Sequence, residues 1–370
     1  MKFSFFTKKT KQYLNEIKVS ENDLRMQEII KDTPSLKSYI PTFWCRGKFT
    51  QLIWLLIREY FFLNSVTYNK IILNRPDGGT VSIAISENKK FEETAPIILF
   101  LHSITGSSET VNSFVRYSEN RGWRSIVLNR RGHDRALSSP NFNLMGDIDD
   151  TTAMITYVND LYPKSKYVVA VGISAGSGQI VSYIGRESIK VGISAAVSLC
   201  PAYDISKSFS NLDKHYPRMA KLLLGRVKEF FLSNNYDILS KEEGFIEGME
   251  SETLHEFAVN VSKMSGAIDW EDYLNQHNPM VHFKENQIPC LILNSLNDPV
   301  CIKENIPDLY CTNYALVLTN YGSHIAFTEG LLGEGSYMER VSLDFFESCY
   351  NFSFKKSLNQ KLTINTKIYH

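Results

Sequence analysis

The stretch YVVAVGISAGSGQI, residues 167–180, decides how the rest of the chain is read. It opens with an apolar, β-favouring run of the kind that forms a strand covered on both faces. A serine set between glycines follows, and a helical pattern begins directly after it. Gly172, Ile173, Ser174, Ala175 and Gly176 thus form a GxSxG sequence between a strand and a helix. A sharp strand-to-helix turn strains the backbone of its central residue, and side chains at the flanking positions would collide with neighbouring chain. The strain presents the hydroxyl at a helix amino terminus, where the dipole favours developing negative charge. That context makes Ser174 a candidate nucleophile rather than a polar residue in a turn.

Other runs repeat the strand signal on either side: VTYNKIIL, TVSIAIS, PIILFLH and RSIVLN before it, ISAAVSL, IPCLILN and YALVLTN after it. Helical patterns alternate with them, at residues 147–161, 175–184 and 337–350. This alternation predicts an α/β fold with a mostly parallel central sheet and helices on both faces. NRPDGGT, residues 74–80, separates the first two runs with a Pro-Asp-Gly turn signal, so those runs are expected to form an antiparallel hairpin. Between residues 204 and 284 the strands stop and only helical patterns remain, including MAKLLLGRVKEFFL at 219–232. A helical insertion at this place is expected to cap a site at the carboxyl ends of the strands.

A serine hydroxyl needs a histidine base and an acid to orient that base, and in this kind of fold they follow in the order serine, acid, histidine. SLNDPV after IPCLILN puts Asp298 at a strand's carboxyl end, and YGSHIAF after YALVLTN does the same for His324. His277 and His282 precede that acid, while His102 and His133 precede the serine. The predicted triad is therefore Ser174, Asp298 and His324. Backbone donors for an oxyanion are expected from Ala175 and from Ile104, the latter in the turn after PIILFLH. Arg130 and Arg131 in NRRGHD read as arginines bracing a loop. The acids of MGDIDD, residues 145–150, read as helix capping rather than metal ligation. Neither a metal nor a cofactor is called for.

The 370-residue chain balances 40 basic against 40 acidic residues, so no whole-molecule field attracts nucleic acid. Its six cysteines show no CxxC pairing, as expected of reduced thiols. No secretion signal is read at the amino terminus, and the expected location is cytoplasmic or peripheral to intracellular membranes. FTQLIWLLIREYFFLNSV, from Phe49 to Val66, is split by Arg58 and Glu59 into runs well short of the roughly 20 residues that span a bilayer. It either packs on the protein or lies at a lipid surface. The expected organisation is a helical extension at 1–66, core at 67–203, cap at 204–284, core again at 285–352 and a tail at 353–370. No obligate protein partner is indicated.

From about residue 39 onward the chain resembles the AB-hydrolase-four family of α/β-hydrolases. That family includes animal abhydrolase-domain lipid esterases and phospholipases, plant EMB-eight-like proteins and bacterial relatives. SYIPTFWCRGKFTQ, RPDGGTVSI, ITGSSE, VLNRRG, LYPKSKYVVAVGISAG, SLCPAYDI, IPCLILNSLNDPV and ALVLTNYGSHIAFTEG carry the likeness. The carboxyl-terminal part looks most like the branch containing a medium-chain phosphatidylcholine lipase. The resemblance implies the same triad and a lipid-ester substrate: a monoacylglycerol, a short- or medium-chain acyl ester or, alternatively, a phosphatidylcholine. A catalytically silent binding protein on the same fold is the alternative of another class. Where relatives carry Pro-Gly-Leu-Thr-Gly in the oxyanion loop, this chain has His102, Ser103, Ile104, Thr105 and Gly106, and it has Ser177 and Ser323 at two further glycine positions.

Overall fold

All eight apolar runs join one sheet, with a ninth strand from the amino-terminal region. The computed structural model describes residues 12–61, 65–308 and 311–368. The strands are β1 (Glu16–Val19), β2 (Tyr68–Asn74), β3 (Thr80–Ser86), β4 (Ile97–Leu101), β5 (Arg124–Asn129), β6 (Val168–Ile173), β7 (Ala195–Leu199), β8 (Cys290–Ser295) and β9 (Tyr314–Thr319). Their order across the sheet is β1-β9-β8-β7-β6-β4-β5-β3-β2. The six strands β4 to β9 run parallel to one another, while β1, β2 and β3 pair antiparallel. The hairpin between β2 and β3 closes through the Arg75 N–H to Gly79 O bond of 2.8 Å, with Gly78 at φ 80°.

Every residue of β4 to β9 is buried, which explains their predominantly apolar composition. Successive side chains of β6 serve opposite layers. Val169 and Val171 pack with α1 (Leu24–Lys31), α3 (Asn112–Asn120) and α12 (Tyr337–Ile368) through Ile29, Phe114 and Phe345. Val168 and Ala170 pack with α4 (Ile148–Leu161) and α5 (Ala175–Glu187) through Met154, Ile155 and Ile184. The remaining amino-terminal helix, α2 (Lys48–Phe61), lies at the surface with Phe49, Ile53 and Leu56 exposed.

Between β7 and β8 there is no strand. The segment folds into α6 (Ile205–His215), α7 (Pro217–Val227), α8 (Tyr236–Leu239), α9 (Phe245–Glu250), α10 (Leu254–Val261) and α11 (Trp270–His277). These helices share a core of their own, built on Leu212, Leu224, Phe231, Leu232 and Phe257. Phe142 from the body stacks on Phe231 at 5.2 Å, and Ala175 joins the same cluster, so the insertion sits over the end of the sheet where the elbow lies.

Two parts of the expected organisation need correction. The region 1–66 is not wholly helical, because β1 pairs Ile17 with Val317 and Val19 with Ala315 at the sheet edge. The region 353–370 is not a detached tail, because α12 runs on to Ile368; no glycine or proline interrupts it from Tyr337. Residues 1–11 and 62–64, which include parts of the amino-terminal stretch and of the 49–66 segment, lie outside the described residues.

Candidate active site

The elbow owes its shape to steric necessity. Ser174 sits at φ 55°, ψ −114°, a strained conformation for a residue with a Cβ. A Cβ on Gly172 would stand 2.1 Å from the Gly176 carbonyl oxygen, and one on Gly176 would stand 2.2 Å from the Leu101 carbonyl oxygen. Backbone bonds clamp the turn between two strand ends: Ser174 N–H donates to Leu199 O at 3.0 Å, and Gly176 N–H to His102 O at 3.2 Å. Ser177, at one of the glycine positions of the resembled pattern, turns its hydroxyl back onto the Ser174 carbonyl. Ser198 in turn donates to Ser177 O at 3.0 Å.

The loops after β8 and β9 bring the other two predicted residues to this hydroxyl. Ser174 Oγ lies 2.7 Å from His324 Nε2, and His324 Nδ1 lies 3.0 Å from Asp298 Oδ2. The Asp298 side chain is fully buried, and its other oxygen accepts the N–H groups of Val300 at 2.7 Å and Cys301 at 2.9 Å. Those donors hold the carboxylate facing the imidazole, so the Nδ1–H donates to Asp298 and Nε2 is left to accept from the serine. Cys200 backs the same loop, its sulfur accepting the Ile325 N–H at 3.5 Å. Its thiol also lies close to Asp298 and His324. Burial, with the charge of Asp298 beside it, pushes that thiol well above its ordinary range, so it stays protonated at neutral pH.

Ile104 lies in the turn that follows β4, closed by Gly106 N–H to Ser103 O at 3.0 Å, and packs against the cap core. Ala175 is the first residue of α5, so its N–H belongs to the amino-terminal set without an intrahelical partner. The two arginines of the NRRGHD loop have separate duties. Arg131 makes two bonds to the Asp150 carboxylate, at 2.7 and 3.0 Å, and a third to Asp77. Arg130 is buried beneath the turn that carries Ile104: one amino group donates to Ser103 O at 2.5 Å, the other to Met145 O at 3.4 Å. Among the described residues it has no carboxylate partner. Burial pushes its guanidinium down to about 9, so it remains charged at neutral pH.

Two histidines crowd that guanidinium. His102 Nδ1 is 3.4 Å and His133 Nε2 is 3.3 Å from it, with the two rings 4.7 Å apart. Burial first, and the neighbouring Arg130 charge second, push His133 down to about 3 and His102 well below its ordinary range. Both imidazoles are therefore neutral, and His133 Nε2 lies 2.9 Å from Ile104 O. The sequence reads the arginine doublet as bracing a loop but carries no sign of which member goes inside or that two histidines join it. The acids of residues 147–150 lie away from it: Asp147 caps α4 through Asp150 N–H at 2.9 Å.

A strained serine after a parallel strand, with a buried carboxylate and a histidine from the ends of two later strands, defines a hydrolase-type site on an α/β-hydrolase fold. Residues 92–315 match the family described as serine aminopeptidase, S33, which is more than half of the sequence, and the chain belongs to that family of α/β-hydrolases. Human phospholipase ABHD3 is 27% identical over 330 residues, covering 84% of this chain and 79% of its own. Monoacylglycerol lipase ABHD2 of Danio rerio is 25% identical over 64% of this chain and 59% of its own. An esterase of Pyrococcus furiosus, 16% identical, superposes with a TM-score of 0.50 over 76% of this chain and 91% of that one, which shows the fold.

Proposed function

We propose that the protein hydrolyses carboxylic esters of lipids through an acyl-enzyme on Ser174. The hydrogen-bonded series from Ser174 through His324 to Asp298 carries this reading. His324 Nε2 takes the hydroxyl proton as Oγ attacks the ester carbonyl, and Asp298 stabilises the imidazolium. The N–H groups of Ala175 and Ile104 receive the oxyanion. Collapse of the tetrahedral intermediate breaks the ester bond, and the alcohol leaves with the proton held on His324. Water, deprotonated by the same nitrogen, then releases the fatty acid and restores the serine.

Acylglycerols and short- or medium-chain acyl esters are the substrates of this reading. A phospholipase reading is favoured by the similarity to phospholipase ABHD3 along 84% of the chain. The apolar cap core beside Ala175 suits an acyl chain in either case. Six free cysteines, five of them buried, suit a reducing compartment. A fluorophosphonate probe is expected to label the wild-type protein and not Ser174→Ala, with p-nitrophenyl butyrate turned over only by the former. Labelling that survives the substitution overturns the assignment of the nucleophile. Labelling without hydrolysis of any ester favours a silent binding protein. Monoacylglycerol and medium-chain phosphatidylcholine, assayed side by side, separate the two substrate readings.

A further inference from the structure

One face of the molecule exposes large apolar side chains from segments far apart in sequence. On α2, Phe49, Ile53 and Leu56 follow helical spacing and point outward, while Gln51 is buried. The Gln51 amide oxygen anchors the helix by accepting from Thr328 N–H at 2.9 Å and from Tyr39 Oη at 3.2 Å. The turn at 330–333 is tied to this helix and to the irregular segment before it. Trp54 Nε1 donates to Gly333 O at 3.0 Å, Trp44 Nε1 to Leu331 O at 3.2 Å and Thr42 Oγ1 to Gly330 O at 2.9 Å. The two indoles meet edge to face at 4.8 Å. Leu331 and Leu332, 70% and 72% exposed, therefore share a surface with Phe43 and the outer side of α2.

The patch adjoins the site. Thr328, which anchors α2, follows His324 by only a few residues. On the other side Phe49 touches the cap: its ring packs edge to face on Tyr216 at 6.1 Å, and Lys48 donates to the Tyr216 hydroxyl at 2.6 Å. The charge pattern leans basic. Residues 40–58 contain no aspartate or glutamate and carry Arg46, Lys48 and Arg58, with Glu59 the next residue of α2. Arg58 turns inward to Glu339 at 3.5 Å, leaving Arg46 and Lys48 at the margin. In the adjoining turn Glu329 is held by Arg340 at 2.8 Å, and Glu334 is the exposed acid.

Tryptophan and phenylalanine bordered by basic residues suit the headgroup region of a bilayer, where apolar side chains enter and cations meet anionic headgroups. A patch of such side chains is larger than the scattered exposure normal for a protein surface. No helix among the described residues is long and apolar enough to cross a membrane, so contact through this face is peripheral.

We propose that the face made by α2, residues 40–44 and the 330–333 turn docks on an anionic phospholipid surface and brings the cap mouth to its substrate. The segment read from sequence, Phe49 to Val66, supplies only part of this surface. Its functional point rests on the lipid-ester reading, but binding itself is measured without turnover.

The test uses the Ser174→Ala protein with vesicles of phosphatidylcholine alone and of phosphatidylcholine with phosphatidylserine. Flotation with the mixed vesicles is expected, falling by at least about tenfold when Ile53→Ser, Leu56→Ser, Leu331→Ser and Leu332→Ser are combined. The same four changes in the active protein should leave p-nitrophenyl butyrate turnover within about twofold, since none touches the site. Failure of flotation, or flotation unaltered by the four changes, overturns the proposal. Self-association in sedimentation that the four changes abolish, without flotation, assigns the face to a second copy and also overturns it. Absence of ester turnover with flotation intact instead removes the lipid-ester reading and leaves the docking face standing.

Discussion

Ser174 Oγ and His324 Nε2 stand 2.7 Å apart although 150 residues separate them in the chain. Parallel strands make this possible: the carboxyl ends of β6 and β9 lie at the same end of the sheet, and the chain after each delivers one residue there. Asp298 sets the orientation of the ring between them through Nδ1 at 3.0 Å. Asp298→Asn would offer an amide in place of the acceptor and favour the wrong tautomer. We expect kcat on a soluble ester to fall roughly 10⁴-fold with the fold preserved. Unchanged kcat at neutral pH would remove Asp298 from the triad.

Gly176→Ala would drive a methyl group to 2.2 Å from the Leu101 carbonyl oxygen, which belongs to a central strand and cannot retreat. Urea unfolding should show a loss of at least about 3 kcal/mol. Gly225→Ala is the matched control, since a Cβ there meets nothing within 4 Å and the residue lies in α7. That substitution should gain about 0.5–1 kcal/mol. Equal effects at both positions would refute the steric account of the elbow.

What could be read from sequence follows from how much chain each feature occupies. β4 to β9 declare themselves because strands buried on both faces carry runs of apolar residues, and Asp298 and His324 because each follows such a strand within a few residues. β1 has only four residues, and Ile17 and Val19 alternate with Glu16 and Lys18. So short an alternation is indistinguishable from loop until β9 offers it an edge. Arg130 and Arg131 are chemically identical neighbours, and only the direction of each side chain separates the ion-paired arginine from the buried one. The exposed face likewise depends on Leu331 and Leu332, which come near α2 only through bonds from Trp44 and Trp54.

Arg130 makes catalysis and stability pull apart. Its bond to Ser103 O supports the turn carrying Ile104, yet its charge is buried without a carboxylate partner among the described residues. Arg130→Met removes the support and an unneutralised buried charge together. We expect kcat to fall roughly tenfold with KM little changed, and the melting temperature to hold or rise. Arg130→Lys, which keeps the charge and a donor ammonium but loses the planar fork, should give a kcat between the two. A fall in stability with kcat intact would show that the residue serves only packing.

Buried neutral histidines predict an acid-sensitive fold. Burial holds His133 down to about 3 and, with the Arg186 charge secondary, His277 down to about 4, against 6.5 for an unfolded histidine. Below pH 6.5 the unfolded chain therefore binds protons that the folded chain refuses. Their contribution is fully present above 6.5 and is lost as pH falls toward 4. Each histidine gives a slope of about 1.4 kcal/mol per pH unit in that window, so the pair gives about 3. Asp147, whose carboxyl is raised by burial, works in the opposite direction and reduces the net slope. His277 bonds Asn143 through Nε2 at 2.8 Å, so His277→Gln keeps a neutral acceptor and removes the titration. Urea unfolding at a series of pH values from 7 to 5 should show the variant's slope smaller by about 1.4 kcal/mol per unit once below pH 6. An unchanged slope would mean that His277 takes up its proton in the folded state.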